Sequence, residues 1–177
     1  MARVTKEQKK KDEEKIIKLL LTQANESIDT LAKKCGFSRQ KAWRIIKRLE
    51  EDHTIWGYHA VVDTEKLQLK PYLLLIKAAI RPVKDVADLI IKREAGILAE
   101  QIGVNIECSS YVNGPYDWVI WFNAKDTKHA KQFCHLIFKK YGDYIVDTVL
   151  LEEIFPTRRC GFLNPSLEKL REFGLFQ

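Results

Sequence analysis

The chain has little of what marks secreted, fibrous or membrane-spanning proteins. Its four cysteines, among 177 residues, are widely spaced at positions 35, 108, 134 and 160. Without a Cys-x-x-Cys pair or high cysteine density, they exclude a disulfide scaffold and predict four reduced thiols. Five prolines and eight glycines exclude a collagen-like chain. No apolar run approaches the roughly 18 residues that a membrane span needs, so a protein of one or two globular domains is expected.

Residues typical of enzymes and metal sites are also sparse. The four histidines have no cysteine or carboxylate at metal-ligand spacing. No phosphate loop, dinucleotide fingerprint or Gly-x-Ser-x-Gly nucleophile motif occurs. We therefore predict no catalytic residues, no metal and no cofactor. The first fifteen residues are a polar run of Lys and Glu without the apolar stretch of a signal peptide, which predicts a cytoplasmic protein that does not bind membranes.

Positive charge is concentrated in the front third of the chain. The whole chain has a net charge of +6, from 30 basic and 24 acidic residues. Residues 1–62 hold 14 basic and 9 acidic side chains, a net charge of +5. Within this part, residues 33–48 contain seven basic residues and no acidic one. A local basic patch of this kind favours an anionic partner such as nucleic acid.

The same region predicts three helices. Residues 12–22 have helical periodicity behind an acidic first turn, and Ser27 is a suitable N-cap for a short helix that ends at Gly36. Ser38 then caps a third helix with a narrow apolar stripe. Residues 55–62 are rich in aromatic and β-branched side chains and predict a strand.

Two helices joined by a tight turn, the second with cations on its outer face, are what a major-groove reader needs. Ser38 and the helix N-terminus can hold a backbone phosphate, Arg and Gln can read base edges, and Lys can neutralise phosphates. A solvated lysine-rich helix face would have the same composition, but the absence of acids favours binding. Trp43 could contact a base or pack against a neighbouring element. The predicted DNA-binding residues are Lys33, Lys34, Ser38, Arg39, Gln40, Lys41, Trp43, Arg44, Lys47 and Arg48.

The remaining chain predicts strand, helix, strand, twice over. Apolar strand-like runs occupy residues 72–80, 107–112, 116–122 and 145–155, with helical periodicity over 83–102, broken near Gly96, and over 126–141. Asn113-Gly114-Pro115 is a strong turn signal that pairs the two middle strands as a hairpin. The order βαββαβ is the ferredoxin-like arrangement. A short helix capped by Ser166 is expected to follow.

These residues resemble the Lrp/AsnC, or feast/famine, transcription regulators of bacteria and archaea. The similarity runs from Leu31-Ala32 through Gly36-Phe37-Ser38 and Leu49-Glu50 to Ile55-Trp56-Gly57-Tyr58, and continues into the following βαββαβ domain. The sequence departs from the family pattern at Ile45, where an Arg is usual, and at His53 and Gln68, where Gly is usual. His tolerates positive φ, so the turn at His53 is expected to survive.

The resemblance implies an α+β protein in four segments. Residues 1–62 would form a helix-turn-helix, winged-helix-like DNA-binding domain and 63–71 a linker. Residues 72–156 would form a ferredoxin-like domain for ligand binding and oligomerisation, and 157–177 a C-terminal extension with a short helix. The implied protein is a homodimer joined through its sheets, or a tetramer or octamer, that binds pseudo-palindromic DNA. It would respond to a small effector such as an amino acid, with Gly114 and Asp117 as candidate effector-binding residues.

Two alternatives stay open at this stage. Siroheme decarboxylases resemble the same two-domain architecture, but they rely on His and Arg near the hairpin, and residues 108–118 contain neither. A non-specific, DNA-coating architectural protein would use the same basic helix without reading base sequence.

Overall fold

The computed structural model describes residues 5–80 and 86–174. By its contacts the chain divides into two units. The first comprises residues 1–61 together with 157–177, and the second comprises residues 62–156. The C-terminal extension therefore groups with the helical unit at the start of the chain. Across the described ranges, no helix has both the length and the hydropathy that a membrane crossing requires.

Three helices make up most of the first unit: α1 (Lys6–Gln23), α2 (Ile28–Cys35) and α3 (Arg39–Glu51). The predicted caps of the second and third helices are confirmed, since the Ser27 and Ser38 side chains accept hydrogen bonds from the first turns of α2 and α3. The apolar stripes of the helices meet in one core of seven buried residues, listed in chain order as Ile16, Leu31, Ala32, Ala42, Ile45, Ile46 and Leu49.

The start of α1 differs from the sequence prediction. The helix begins at Lys6, behind an N-cap at Thr5, rather than at an acidic turn around Asp12. Asp12 lies within the helix and its side chain is buried. The lysine-rich stretch before Asp12 is therefore helical, because lysine is a good helix former even without an apolar stripe.

The predicted strand over residues 55–62 is wrong. These residues, all of which the structure describes, form neither a helix nor a paired strand. The backbone N–H of Ile55 donates to the carbonyl of Leu49 (2.8 Å), which ties the start of the segment to the end of α3. His53 has a φ of 58°, so the expected left-handed turn is present. High β-propensity does not make a strand where no partner strand lies alongside.

The second unit is a four-stranded antiparallel sheet with helices on one face. The strand order is β2-β3-β1-β4, so the first and last strands of the unit are neighbours. The predicted βαββαβ order, and with it the predicted α+β fold class, is confirmed. The elements are β1 (Lys70–Ala78), α4 (Val86–Ile91), α5 (Glu94–Gln101), β2 (Asn105–Tyr111), β3 (Trp118–Ala124), α6 (Thr127–Tyr141) and β4 (Ile145–Glu152).

The strand ends lie within three residues of their predicted positions, but two other predicted features of this unit change. The helical stretch after β1 breaks at Arg93, which has a φ of 58°, and not near Gly96, which lies inside α5. The first residues of that stretch, 83–85, lie outside the described ranges. The predicted linker, 63–71, contains a 3-10 helix at Thr64–Leu67 and the first residues of β1. It is ordered because the Asp63 side chain caps that helix and Gln68, with a φ of 55°, ends it.

The C-terminal extension contains more structure than one short helix. Two short strands, β5 (Arg158–Arg159) and β6 (Phe162–Leu163), pair as a hairpin. A 3-10 helix follows at Leu167–Phe173, although the Ser166 side chain makes no cap hydrogen bond to it. The turn of the hairpin, Cys160-Gly161, has positive φ at both residues, as a tight two-residue hairpin requires.

Candidate nucleic-acid interface

The turn between α2 and α3 sets the direction of the third helix. Gly36 has a φ of 70°, and its N–H donates to the carbonyl of Lys33, which closes α2 in the left-handed conformation. The N–H of Phe37 donates to the carbonyl of Ala32 (2.8 Å). The Ser38 Oγ accepts from the N–H of Lys41 (3.2 Å) and caps α3, which begins after a three-residue connection. This is the compact connection of a helix-turn-helix.

One face of α3 packs into the core and the other is exposed. Ala42, Ile45, Ile46 and Leu49 are buried. At 100° per residue, Gln40, Trp43, Arg44 and Lys47 project from the opposite side, and all four are exposed. The indole of Trp43 is 49% exposed, so this side chain is available to a partner and is not packed in the core.

The cations on and beside this exposed face are only loosely held. Arg39 lies 3.6 Å from Asp29 Oδ2, and Lys47 lies 3.3 Å from Glu50 Oε2. Ion pairs between exposed side chains stabilise a protein by about 1 kcal/mol at most, so phosphate oxygens can replace these carboxylates. The Arg44 Nε donates a long hydrogen bond (3.4 Å) to the carbonyl of Gln40. Lys33 is exposed and, among the described residues, has no ion-pair partner.

Three other cations predicted near phosphates are bound to acids of the protein instead. The Lys41 Nζ lies 2.6 Å from Asp12 Oδ2, Arg48 pairs with Glu13, and Lys34 lies 2.9 Å from Glu26 Oε1. Because the acids come from α1 and the loop after it, they lie outside the acid-free window of residues 33–48. The interface therefore presents fewer free positive charges than that window suggests.

Asp12 is the best-buried member of these pairs. Its side chain is 5% exposed and also accepts a hydrogen bond from Gln8 Nε2 (3.0 Å). Burial alone would raise the pKa of Asp12, but the hydrogen bonds from Lys41 and Gln8, with the charges of Lys41 and Lys15, lower it overall. The Lys41 ammonium also lies 4.1 Å above the ring of Phe37. Lys41 thus joins α1, the turn and α3.

No signal within the basic window identifies this buried pair. Asp12 lies 29 positions before Lys41, and an aspartate in the first half of a charged helix is usually solvated. The sequence signal for the burial of Asp12 is its spacing of four residues from Ile16. This spacing places the carboxylate on the same helix face as a core residue.

In the second unit, the candidate effector residues lie at the hairpin between β2 and β3. The Asp117 Oδ2 accepts from the N–H of Ala78 at the end of β1 (2.8 Å), and the Asp117 N–H donates to the carbonyl of Ile76 (2.9 Å). The carbonyl of Asp117 accepts from the N–H of Val112 (2.9 Å), which closes the hairpin. Gly114 lies in the turn, and a Cβ there would meet open space. Asp117 therefore has a structural role, because its hydrogen bonds hold the hairpin against β1.

Other chemistry at these surfaces is limited. In residues 5–80 and 86–174, no group of three His, Cys, Asp or Glu side chains gathers as metal ligands. Burial raises the pKa of the Cys134 thiol to about 11, which keeps it protonated and unreactive at neutral pH. The exposed face of α3 is the surface with the clearest ligand chemistry: planar guanidinium, amide and aromatic groups beside a helix N-terminus.

This arrangement defines a helix-turn-helix module followed by a ferredoxin-like domain. Residues 13–55 match the family of winged helix-turn-helix DNA-binding domains. No curated protein sequence matches the chain significantly.

Solved structures share the fold over nearly the whole chain. An AsnC family transcriptional regulator from Agrobacterium tumefaciens is 21% identical, with a TM-score of 0.63, over 86% of this chain and 95% of that one. A leucine response regulatory protein from Mycobacterium tuberculosis is 15% identical, with a TM-score of 0.65, over 87% and 98%. A feast or famine regulatory protein from M. tuberculosis, complexed with L-methionine, is 16% identical, with a TM-score of 0.65, over 84% and 94%. The chain has the two-domain fold of the Lrp/AsnC regulators, as its sequence predicts.

Proposed function

We propose that the protein is a sequence-specific transcription regulator that docks α3 in the major groove of duplex DNA. The observation that carries this proposal is the exposed face of α3, where Gln40, Trp43, Arg44 and Lys47 project away from the core. Arg44 and Gln40 are the base-reading residues, because guanidinium and amide groups can form paired hydrogen bonds with guanine and adenine edges. Lys33, Arg39 and Lys47 neutralise phosphates.

The sheet surface opposite the helices supports a homodimer. Leu73 of β1 lies between Trp121 of β3 and Leu151 of β4 in the sheet register, so the three share one face. Trp121 is 40% and Leu151 45% exposed. A second copy of the chain would bury these apolar groups and place two recognition helices about a two-fold axis. Two half-sites, about 34 to 36 Å or a multiple apart, would then form a pseudo-palindrome.

A small amino acid is the proposed effector, and the hairpin at Asp117 is its proposed contact. Two structures with this fold, one of them from Neisseria meningitidis, were solved with L-methionine. A carboxylate has two oxygens, and the backbone of Ala78 uses only Oδ2 of Asp117. Its Oδ1 would accept from the ammonium group of an amino acid. A shift of the hairpin would then pass to β1 through the bond to Ala78.

Retention of sheared genomic DNA at near-physiological salt, followed by sequencing, tests the regulator proposal. Enrichment of a short pseudo-palindrome is the expected result. Retention without enrichment would instead establish a DNA-coating protein, since phosphate contacts carry no sequence information. If no DNA is retained with or without amino acids, the proposal is wrong.

Variants of α3 test the assigned roles. Arg44→Ala should cost about 1 to 3 kcal/mol of binding to the enriched site and relax specificity at one position. Lys47→Ala should weaken binding to all sequences alike and lower the salt slope by about one. Lys131→Ala, at an exposed position of α6, is the control and should bind as the native protein does. Native affinity in both α3 variants would contradict the docking.

Sedimentation and isothermal titration test the second domain. Trp121→Glu should dissociate the dimer, while Phe138→Glu, at an exposed position of α6 on the other side of the sheet, should not. Asp117→Ala should abolish any amino-acid response. A native response in that variant would remove Asp117 from the effector site.

A further inference from the structure

The lysines at the start of α1 form a second cationic surface that no recognised motif includes. The family match begins at residue 13, but α1 begins at Lys6. Residues 6–11 contain four lysines and one acid, Glu7, which pairs with Lys11 (2.9 Å). Lys6, Lys9 and Lys10 are exposed and, among the described residues, have no ion-pair partner.

These three lysines share one face of the helix. Lys6, Lys9, Lys10 and Glu13 lie at i, i+3, i+4 and i+7, so they form one stripe along α1. Keeping three cations together costs repulsion between them, and the one acid of the stripe, Glu13, is already paired with Arg48. An anionic partner would compensate for this repulsion.

Glu13 shows which part of the molecule this stripe reaches. It pairs with Arg48 of α3, while the adjacent Asp12 pairs with Lys41 of the same helix. At 100° per residue, Lys41 and Arg48 both lie within about 60° of Arg44, at the rim of the exposed face of α3. The α1 segment at Asp12 and Glu13 therefore lies at that rim.

Lys6, Lys9 and Lys10 precede Glu13 in α1, so they lie beyond the rim of the exposed face of α3. With a rise of 1.5 Å per residue, the Lys9 backbone lies roughly 6 Å from that of Glu13, and the Lys6 backbone roughly 10 Å. Extended lysine side chains add several ångströms. A duplex seated against α3 carries a negative charge about every 1.7 Å of its axis, so its backbone extends past the rim in reach of this stripe.

We propose that Lys6, Lys9 and Lys10 bind backbone phosphates of the same DNA, flanking the base pairs that α3 reads. The occupant is duplex DNA because the stripe carries three unpaired lysines, has no aromatic or apolar member and adjoins the proposed recognition face. Its one acid, Glu13, is already paired with Arg48. The inference rests on the proposed function and extends it: the contact is sequence-independent and lengthens the DNA footprint on one side of each recognition helix.

The test compares two triple variants by salt-dependent binding to a scrambled duplex of about 40 base pairs. The α1 variant replaces three lysines with Gln: Lys6, Lys9 and Lys10. The α6 variant replaces three lysines at exposed positions of α6 with Gln: Lys128, Lys131 and Lys139. Both variants lose three positive charges. Glutamine is a good helix former, and removing cations from a helix N-terminus favours the helix dipole, so α1 should stay folded.

We expect the α1 variant to reduce the slope of log K against log salt by about 2 to 3 per bound protomer, because each lost phosphate contact removes about 0.9. The α6 variant should keep the native slope. Shortening the duplex should weaken the native protein more than the α1 variant, since only the native protein uses flanking phosphates.

An unchanged slope in the α1 variant, with native binding intact, overturns this inference alone and leaves the regulator proposal in place. An equal loss in the α6 variant also overturns it, because net charge would then be the cause. If the native protein fails to bind the scrambled duplex at low salt, the sequence-independent contact is absent and this inference fails. The regulator proposal fails only if no genomic DNA is retained either.

Discussion

Replacing Asp12 with Ala should destabilise the helical unit by about 2 kcal/mol. The carboxylate accepts hydrogen bonds from Lys41 Nζ (2.6 Å) and Gln8 Nε2 (3.0 Å). A hydrogen bond to a charged group contributes roughly 1.5 to 3 kcal/mol. Truncating one member of a fully buried pair costs about 3 to 5 kcal/mol. Because the Lys41 side chain is 40% exposed, water can solvate its ammonium in the variant, which reduces that loss.

Urea denaturation measures the effect when only this unit carries tryptophan. Trp118 and Trp121 are replaced with Phe, which leaves Trp43 and Trp56 as fluorescent probes. A double-mutant cycle of Asp12→Ala and Lys41→Ala should give a coupling energy of about 1 kcal/mol. Lys11→Ala is the control, because the Lys11–Glu7 pair is exposed and should contribute less than about 0.5 kcal/mol.

The same pair predicts a direction for the pH dependence. The pKa of Asp12 is lowered in the folded protein, so the unfolded chain binds the proton more readily. The stabilisation is complete above the unfolded pKa of about 3.9 and is lost as pH falls through the lower folded pKa. A loss below about 0.5 kcal/mol in Asp12→Ala at neutral pH, or additive behaviour in the cycle, would refute this reasoning.

Three further results are expected. Gly36→Ala should cost about 1 to 2 kcal/mol in urea denaturation, because the φ of 70° there places a Cβ in a strained conformation; a neutral effect would mean that the turn relaxes. Ser38→Ala should cost about 1 kcal/mol through loss of the N-cap, and an unchanged midpoint would show that water replaces the hydroxyl. Iodoacetamide at pH 8 should modify exposed Cys160 well before Cys134, whose thiol is partly buried with a pKa of about 11; equal rates in the folded protein would contradict this order.

Local signals in the sequence predicted the local structure well. The helix-turn-helix follows from Ser27, Gly36 and Ser38, each of which forms the cap or turn that its residue type favours. The order of strands and helices follows from apolar periodicity and the turn at Asn113-Gly114. These features depend on neighbours a few residues apart, which a sequence displays directly.

What the sequence did not predict depends on distant neighbours. The pairing of Lys41 with Asp12 and of Arg48 with Glu13 required knowing that α1 crosses α3. Residues 55–62 have the composition of a strand, but strand formation needs a partner at the right distance. The helix breaks at Arg93 through a left-handed backbone conformation, and no glycine or proline at that position predicts the break.

The strand order has a consequence for how the chain acquires its structure during synthesis. The central strand β1 forms one of its two ladders with β4, about 75 residues later, whereas α1, α2 and α3 contact one another within about 45 residues. Local helical contacts form quickly and distant strand pairs slowly, so we expect the helical unit to fold on the ribosome before the sheet closes. Until β4 emerges, the free edge of β1 is open to pairing with another nascent chain. A ribosomal pause just before Ile145 would prolong the interval in which the protein is most prone to aggregate.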